Sequence, residues 1–354
     1  MARGVTTDML VEHNALRMLA QAVLAKVGVP STDAELVAGT LVEADLRGVH
    51  THGVMRLPIY VKRIKAGVVN PAARVRILAS SAAGRLVDGQ NGLGQVVSRQ
   101  AMALAMNVAA EQGVAAIAIR NSNHAGIIGL YAEQATTAGM IGFYTTSGAP
   151  SVAPTGGVKP MLGSNPFAVG IPTGRTYPIL LDCASTVVAR ANLLLARLAR
   201  QSIPLGWALD SDGMPTTDPE AGLKGTMLPF GGHKGYGIAL MVDILSGALS
   251  GALCGPWIPA MYGDLDHPQG IGHFLLALNV GAFVPLRQFY ESVNSLVQVI
   301  KSSEKAEGVE EIFVPGEIEF RRRDRALREG VSLSPEVAQE LKALADDLGV
   351  EMPV

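Results

Sequence analysis

Four short apolar runs stand close together in the middle of the sequence: VAAIAIR (114–120), MIGFYTTS (140–147), PFAVGIP (166–172) and YPILLDCA (177–184). Each is of strand length, rich in β-branched or aromatic residues, and bounded by Gly, Pro, Asn or Ser. Strand following strand with few helical segments between them argues against regular βαβ alternation. It predicts a mixed or mainly antiparallel sheet within an α/β fold.

Helical periodicity marks the flanks. The opening stretch, MARGVTTDMLVEHNALRMLAQAVLAKVGVP, reads as an amphipathic helix carrying Glu12, His13 and Arg17, without the apolar core of a secretory leader. STDAELVAGTLVEADLRG predicts a second helix, with Thr32 and Glu35 in capping-box spacing and Gly48 as its stop. RLPIYVKRIKAG predicts a short helix ending at Gly67, and residues 94–113 a longer one stopped by Gly113. The segment 238–255 is the most apolar, but Asp243 interrupts it, so it is expected as a buried helix rather than a membrane span. SPEVAQELKALADDLGV near the end is an amphipathic helix.

At 354 residues the chain is long enough for two or three domains, and no linker marks a clean boundary, so interleaved domains are expected. Charged residues make up only 17% and the net charge is −2, which leaves no basic footprint for nucleic acid or an anionic membrane. The two cysteines, Cys183 and Cys254, lie far apart and outside any metal-ligand spacing, as expected of a cytoplasmic protein.

No dinucleotide fingerprint is present: GQNGLG (89–94) has its glycines at the wrong spacing, and a P-loop is absent. FGGHKGYG (230–237) offers another route. Gly231, Gly232, Gly235 and Gly237 gather backbone N–H groups at a helix start, and His233 and Lys234 lie among them. That is either a phosphate or carboxylate cradle, or a tightly packed loop with Lys234 in solvent. His124 falls in a strand-to-helix loop beside Asn121, Ser122 and Asn123. The polar stretches TTSGAP, MLGSNP and DCAST, carrying Ser147, Gly148, Ser164, Asp182, Cys183 and Ala184, all lie at strand ends, where ligand clefts form.

The stretch GVHTHGVMR (48–56) allows two chemistries. His50 and His52 have the spacing that opens some metal sites, yet no HExxH, Cys/His cluster or acidic ligand set accompanies them. Alternatively His52 exchanges a proton with a hydroxyl, Thr51 orients it, and the planar fork of Arg56 binds a carboxylate.

Seven blocks, in order, resemble the malate/L-lactate dehydrogenase family of the non-Rossmann type: THGVMRLPIYVKRIKAG, NSNHAGIIGLYA, LGSNPFAVGIP, LLDCASTVVAR, IPLGWALDSDGMPTTDP, LPFGGHKGYGIALMVDILSGALSG and VPGE. The resemblance implies a family-specific fold binding NAD or NADP on a mostly antiparallel sheet flanked by helices. It also implies a helical domain formed from both chain ends. Residues 1–110 with 290–354 would form the helical, substrate and dimerisation domain, and 111–289 the cofactor domain of a homodimer. His52, Thr51 and His124 would be catalytic, and Arg56 and Ser164 would hold a small 2-hydroxy or 2-oxo acid. The cofactor would be met by His124, Ser147, Gly148, Asp182, Cys183, Ala184, His233, Lys234, Pro315 and Gly316. The implied reaction is hydride transfer between nicotinamide and the C2 of the acid. Two alternatives stand beside it: a cyclic ketimine reductase, and a metal-dependent lyase or hydrolase built on His50 and His52. Departures from the family pattern are Val49 for a histidine, Thr51 for serine, and Asn192 where many members carry lysine.

Overall fold

The computed structural model describes residues 9–352; residues 1–8, which open the stretch read as the first helix, lie outside the described residues. A short strand β1 (Met9–Val11) precedes α1 (His13–Lys26), whose first turn is capped by the Glu12 carboxylate accepting from Ala15 N–H. In α2 (Ser31–Leu46) the expected capping box does not form. Pro30 is the N-cap, with no side-chain bond, and Glu35 is drawn off to Arg17 of α1 at 2.9 Å. Gly48, at φ +75°, ends α2 as expected, and α3 (Leu57–Lys65) ends before Gly67. A hairpin of β2 (Arg76–Ser80) and β3 (Gly84–Asp88) leads to α4 (Gly94–Gln112), stopped at Gly113.

Next come β4 (Val114–Ser122), α5 (Gly129–Thr136), β5 (Met140–Thr146), β6 (Phe167–Ile171) and β7 (Ile179–Cys183), the strands falling on the four apolar runs. A small lobe follows, α6 (Arg190–Leu198), β8 (Ala208–Leu209), α7 (Pro219–Lys224) and β9 (Thr226–Met227), with its own apolar cluster around Val152, Leu193 and Ile203. The chain continues through α8 (His233–Ser246), β10 (Ile271–Asn279), α9 (Leu286–Ser302), α10 (Glu317–Glu329), β11 (Val331–Leu333) and α11 (Pro335–Leu348).

The main sheet has the order β2-β3-β4-β10-β5-β6-β7 and is antiparallel at every pairing except β3 with β4. Strand β10 takes the central place between β4 and β5. Side chains alternate across β5: Tyr144 reaches Ser98 of α4 on one face at 2.5 Å, and Thr145 reaches Ser246 of α8 on the other at 2.8 Å. The sheet is thus covered on both faces.

A second core lies among α1, α2, α3 and α11, with Leu16, Leu24, Leu41, Leu57 and Leu341 all buried, so both chain ends do meet in a helical unit. Each such leucine contributes on the order of 1.5–3 kcal/mol of burial. The strands β2 and β3 join the main sheet, and Ala101, Met102 and Ala105 of α4 enter its core, so these parts of residues 1–110 pack with the sheet. Helix α8 departs from the expected buried helix. It buries its small residues, such as Ala239 and Ser246, but leaves Met241 and Ile244 exposed at 52% and 44%. Among the described residues no helix is long and apolar enough to cross a membrane.

Candidate active site

Past the end of α2 the chain makes two successive single turns, His50–His52 and Val54–Arg56, and buried Asp45 holds both. One Asp45 oxygen accepts from Val54 N–H at 2.8 Å, and the other pairs with His50 Nδ1 at 3.0 Å. Burial pushes the Asp45 carboxyl up, with His50 and the Val54 N–H pulling it back. The two histidines of the motif therefore have different partners. His52 Nδ1 meets Thr51 Oγ1 at 2.9 Å, which leaves Nε2 as the ring atom able to act on a ligand. His52 is half-buried, with much of its ring enclosed by protein. That enclosure, and then the Arg56 charge, push its pKa down to about 3, so the ring is a neutral base at pH 7.

His124 stacks on His52 with ring centroids 5.4 Å apart. Its Nδ1 lies 2.7 Å from the Tyr60 hydroxyl of α3, which in turn accepts from Gln95 Nε2 of α4 at 2.9 Å. Gln95 is fully buried and its Oε1 has no hydrogen-bond partner among the described residues. At Gly94 a Cβ would fall 2.2 Å from Asn123 O, so only glycine lets α4 start against the His124 loop. Burial, then Arg56 and His52, hold His124 well below the ordinary imidazole value.

Arg56 donates through Nε to Thr51 O at 2.7 Å and through Nη1 to the Tyr262 hydroxyl at 2.5 Å, and among the described residues it has no carboxylate partner. An unpaired guanidinium beside two neutral imidazoles is a site prepared for an anion.

The remaining expected residues emerge mainly at one end of the sheet, and the buried His273 of β10 fixes the two central loops. Its Nδ1 meets Thr146 Oγ1 and its Nε2 meets Ser122 Oγ, both at 2.8 Å, at the points where β5 runs into Ser147–Gly148 and β4 into Asn123–His124. Gly148 N–H donates to Asn165 Oδ1 at 3.1 Å, and Ser164 O accepts from Ser185 N–H at 2.8 Å. These bonds join the 147–148, 163–165 and 182–186 loops. The Asp182 carboxylate accepts from Gly129 N–H at 2.7 Å, and Phe230 N–H donates to Ser185 O, bringing the glycine loop to the same turn. Cys183 and Ala184 lie in that turn, half-buried. Pro315 and Gly316 lie further along the edge strand β7. Leu180 N–H donates to Pro315 O at 3.0 Å, and Gly316 has φ +89° with Leu180 against it. Pro315 lines a separate cavity of about 230 Å³ with Arg175 and Tyr177.

This arrangement suits a dinucleotide. Positions where a Cβ would meet nothing, Gly148 and Gly232, leave backbone open to a ligand. The N-terminus of α8 has no side-chain cap, and His233 and Lys234 there are exposed. Free N–H donors with an adjacent ammonium fit a phosphate. Asn192 lies in the first turn of α6, and among the described residues no hydrogen bond links it to either histidine. Tyr60, Gln95, His273 and Tyr262 are the site groups that sequence patterns did not reveal. Tyr60 carried the only usable signal: it follows His52 by eight residues on a helix starting at the motif.

Residues 11–342 match the family model described as malate/L-lactate dehydrogenase. The chain belongs to that family. This member is 42% identical over 337 residues to a malate dehydrogenase of Pyrococcus horikoshii, covering 93% of this chain and 92% of the relative. The solved structure of sulfolactate dehydrogenase from Methanocaldococcus jannaschii superposes with a TM-score of 0.91 at 39% identity, over 97% of this chain and 98% of that one. More distant members name their cofactor. An NAD(+) ureidoglycolate dehydrogenase of Escherichia coli is 32% identical, covering 94% of this chain and 95% of its own. An NADP(+) (2R)-3-sulfolactate dehydrogenase of Chromohalobacter salexigens is 34% identical, covering 92% and 95%.

Proposed function

We propose that His52, Thr51 and Arg56 carry the chemistry of a dehydrogenase that oxidises small 2-hydroxy acids and reduces the matching 2-oxo acids. Family membership makes the chain an NAD(P)-dependent oxidoreductase of 2-hydroxy acids. The observation that carries the residue assignment is Arg56, unpaired with any carboxylate among the described residues and fixed through Thr51 O beside the neutral His52.

Ser147, Gly148, Asp182, Cys183, Ala184, His233, Lys234, Pro315 and Gly316 would hold NAD or NADP, with His124 between cofactor and substrate. The bound nicotinamide supplies the hydride acceptor, or in reduction the donor. Arg56 binds the substrate carboxylate through its Nη atoms, since Nε is already engaged. Ser164 gives a second polar contact. That anchoring sets the acid's C2 and hydroxyl in one orientation, which is where most of the entropic advantage arises. His52 Nε2 takes the hydroxyl proton in oxidation and returns it in reduction, while Nδ1–H donates to Thr51 Oγ1. A carboxylate placed on Arg56 offsets one of the two influences depressing His52, so substrate binding raises its proton affinity.

We read the helical unit as the substrate and dimerisation side and the sheet as the cofactor side. The sheet side would contribute to the homodimer as well, because Met241 and Ile244 of α8, with Leu249 and Trp257 just beyond it, form an exposed apolar face. Two free thiols support a cytoplasmic location.

Fluorescence titration with NADH and NADPH, followed by turnover of a panel of 2-oxo acids and Δ1-piperideine-2-carboxylate, tests the function. Binding of one nucleotide with turnover of a 2-oxo acid is expected. Stoichiometric zinc with no nucleotide binding, or turnover of the imine alone, would overturn it.

A further inference from the structure

Arg63 of α3 is 1% exposed, yet among the described residues it pairs with no carboxylate oxygen within ion-pair distance. A buried guanidinium without such a partner is costly. Its two Nη atoms instead donate to three backbone carbonyls of one loop: Nη1 to Met261 O at 3.1 Å and to Asp264 O at 2.6 Å, and Nη2 to His267 O at 3.0 Å. The loop is braced from within as well. The Asp264 carboxylate accepts from Asp266 N–H and His267 N–H, and Met261 packs against the helical core. Residues 259–269 are therefore a strap, tied to the same helix that follows the His52–Arg56 turns.

The strap carries Tyr262 back to Arg56. The Tyr262 hydroxyl accepts from Arg56 Nη1 at 2.5 Å, and the guanidinium lies 5.5 Å from the centre of the tyrosine ring. Because that oxygen is the acceptor, the hydroxyl hydrogen remains available to another oxygen. An anion seated on the Nη edge of Arg56 lies within reach of it.

We infer that Tyr262 is a further substrate-binding group, donating its hydroxyl hydrogen to the carboxylate held by Arg56, and that Arg63 is the positioning residue that sets the strap. The inference rests on Arg56 being the carboxylate binder. It makes the acid's recognition a joint property of the catalytic turn and of a loop two hundred residues away, rather than of one arginine.

Steady-state reduction of oxaloacetate, with the nucleotide the enzyme prefers, provides the test. Tyr262→Phe is expected to raise KM about tenfold or more, as loss of a hydrogen bond to a charged group does, with kcat within about twofold and cofactor Kd unchanged. Arg63→Lys, which keeps the charge but cannot reach three carbonyls, is expected to raise KM in the same way. Amide hydrogen exchange in 261–267 should quicken while α3 stays protected. Arg56→Lys separates the two levels. If it leaves KM unchanged, the carboxylate assignment itself falls. If it raises KM while Tyr262→Phe does not, only the strap inference falls. A Tyr262→Phe enzyme that loses kcat at unchanged KM also overturns it, because the hydroxyl would then act in the chemical step.

Discussion

Gly53 and the buried carboxylate of Asp45 occupy adjoining space so tightly that a Cβ on Gly53 would fall 2.1 Å from Asp45 Oδ1. The glycine of the Thr-His-Gly motif is thus a packing requirement for the carboxylate that orders the turn. Gly53→Ala is expected to push Asp45 off Val54 N–H and His50. That costs about 1–3 kcal/mol of stability and at least tenfold in kcat/KM. Urea unfolding alongside kinetics checks both.

His52→Ala should lower kcat by about 10²–10⁴ while cofactor affinity stays within a few-fold. Thr51→Ser should retain most activity and Thr51→Val should lose most, because the hydroxyl partner to Nδ1 is what matters. A His52→Ala enzyme with wild-type kcat from pH 6 to 9 would remove the proton-transfer role.

The Gln95–Tyr60–His124 chain predicts a separate behaviour. Tyr60→Phe leaves His124 Nδ1 without its partner at 2.7 Å and should lower kcat about tenfold. Gln95→Leu should act in the same direction but more weakly, since it touches His124 only through Tyr60. Equal kcat in all three enzymes would show that the chain has no bearing on the reaction.

Acid stability follows from the buried histidines, with His124 acting in the same direction as the two with stated values. His52 and His273 are both pushed down to about 3, His273 by burial alone. Between the unfolded value near 6.5 and the folded value near 3 the unfolded chain binds more protons, so stability falls as pH falls through that window. Each group contributes up to about 1.4 kcal/mol per pH unit there. Asp182, raised to about 6 by the protein around it, opposes this between about pH 4 and 6, so the net loss is partial there. His273→Gln should be less stable at pH 7 yet lose less stability between pH 7 and 4; urea midpoints at both values decide.

Ile244→Glu places a charge on the exposed apolar face of α8. It should halve the mass seen by light scattering at micromolar concentration if that face joins the subunits. An unchanged mass would move the interface elsewhere, with the apolar stripe of α9, including Leu296 and Val299, as the next face to probe.

The four strands at 114–184 and the helix stops at Gly48, Gly67 and Gly113 were legible because short β-rich runs and left-handed glycines are local signals. The most central strand was not. IGHFLLALN is buried on both faces, and a short continuous apolar run carries no period to separate strand from helix. The Thr32–Glu35 box was legible but misleading, since Arg17 on a neighbouring helix competes for Glu35. In the site, residue type and spacing pointed to Thr51, His52 and Arg56. The role of Tyr60 was not legible, because its partner His124 is 64 residues away. Nothing local tells that Arg63 is buried under a loop near residue 264.

Strand β10 is the last of the main sheet to be made and the one both halves need: it pairs with β4 on one side and β5 on the other. A nascent chain short of Asn279 therefore has two incomplete half-sheets, each with an unpaired inner edge, and no His273 to clasp Ser122 to Thr146. The site cannot begin to assemble until roughly four-fifths of the chain exists, and the sheet closes through long-range pairings that form slowly. During that interval the waiting edges of β4 and β5 are the surfaces most exposed to wrong partners, so chaperone demand and aggregation during synthesis should be governed by this one late strand.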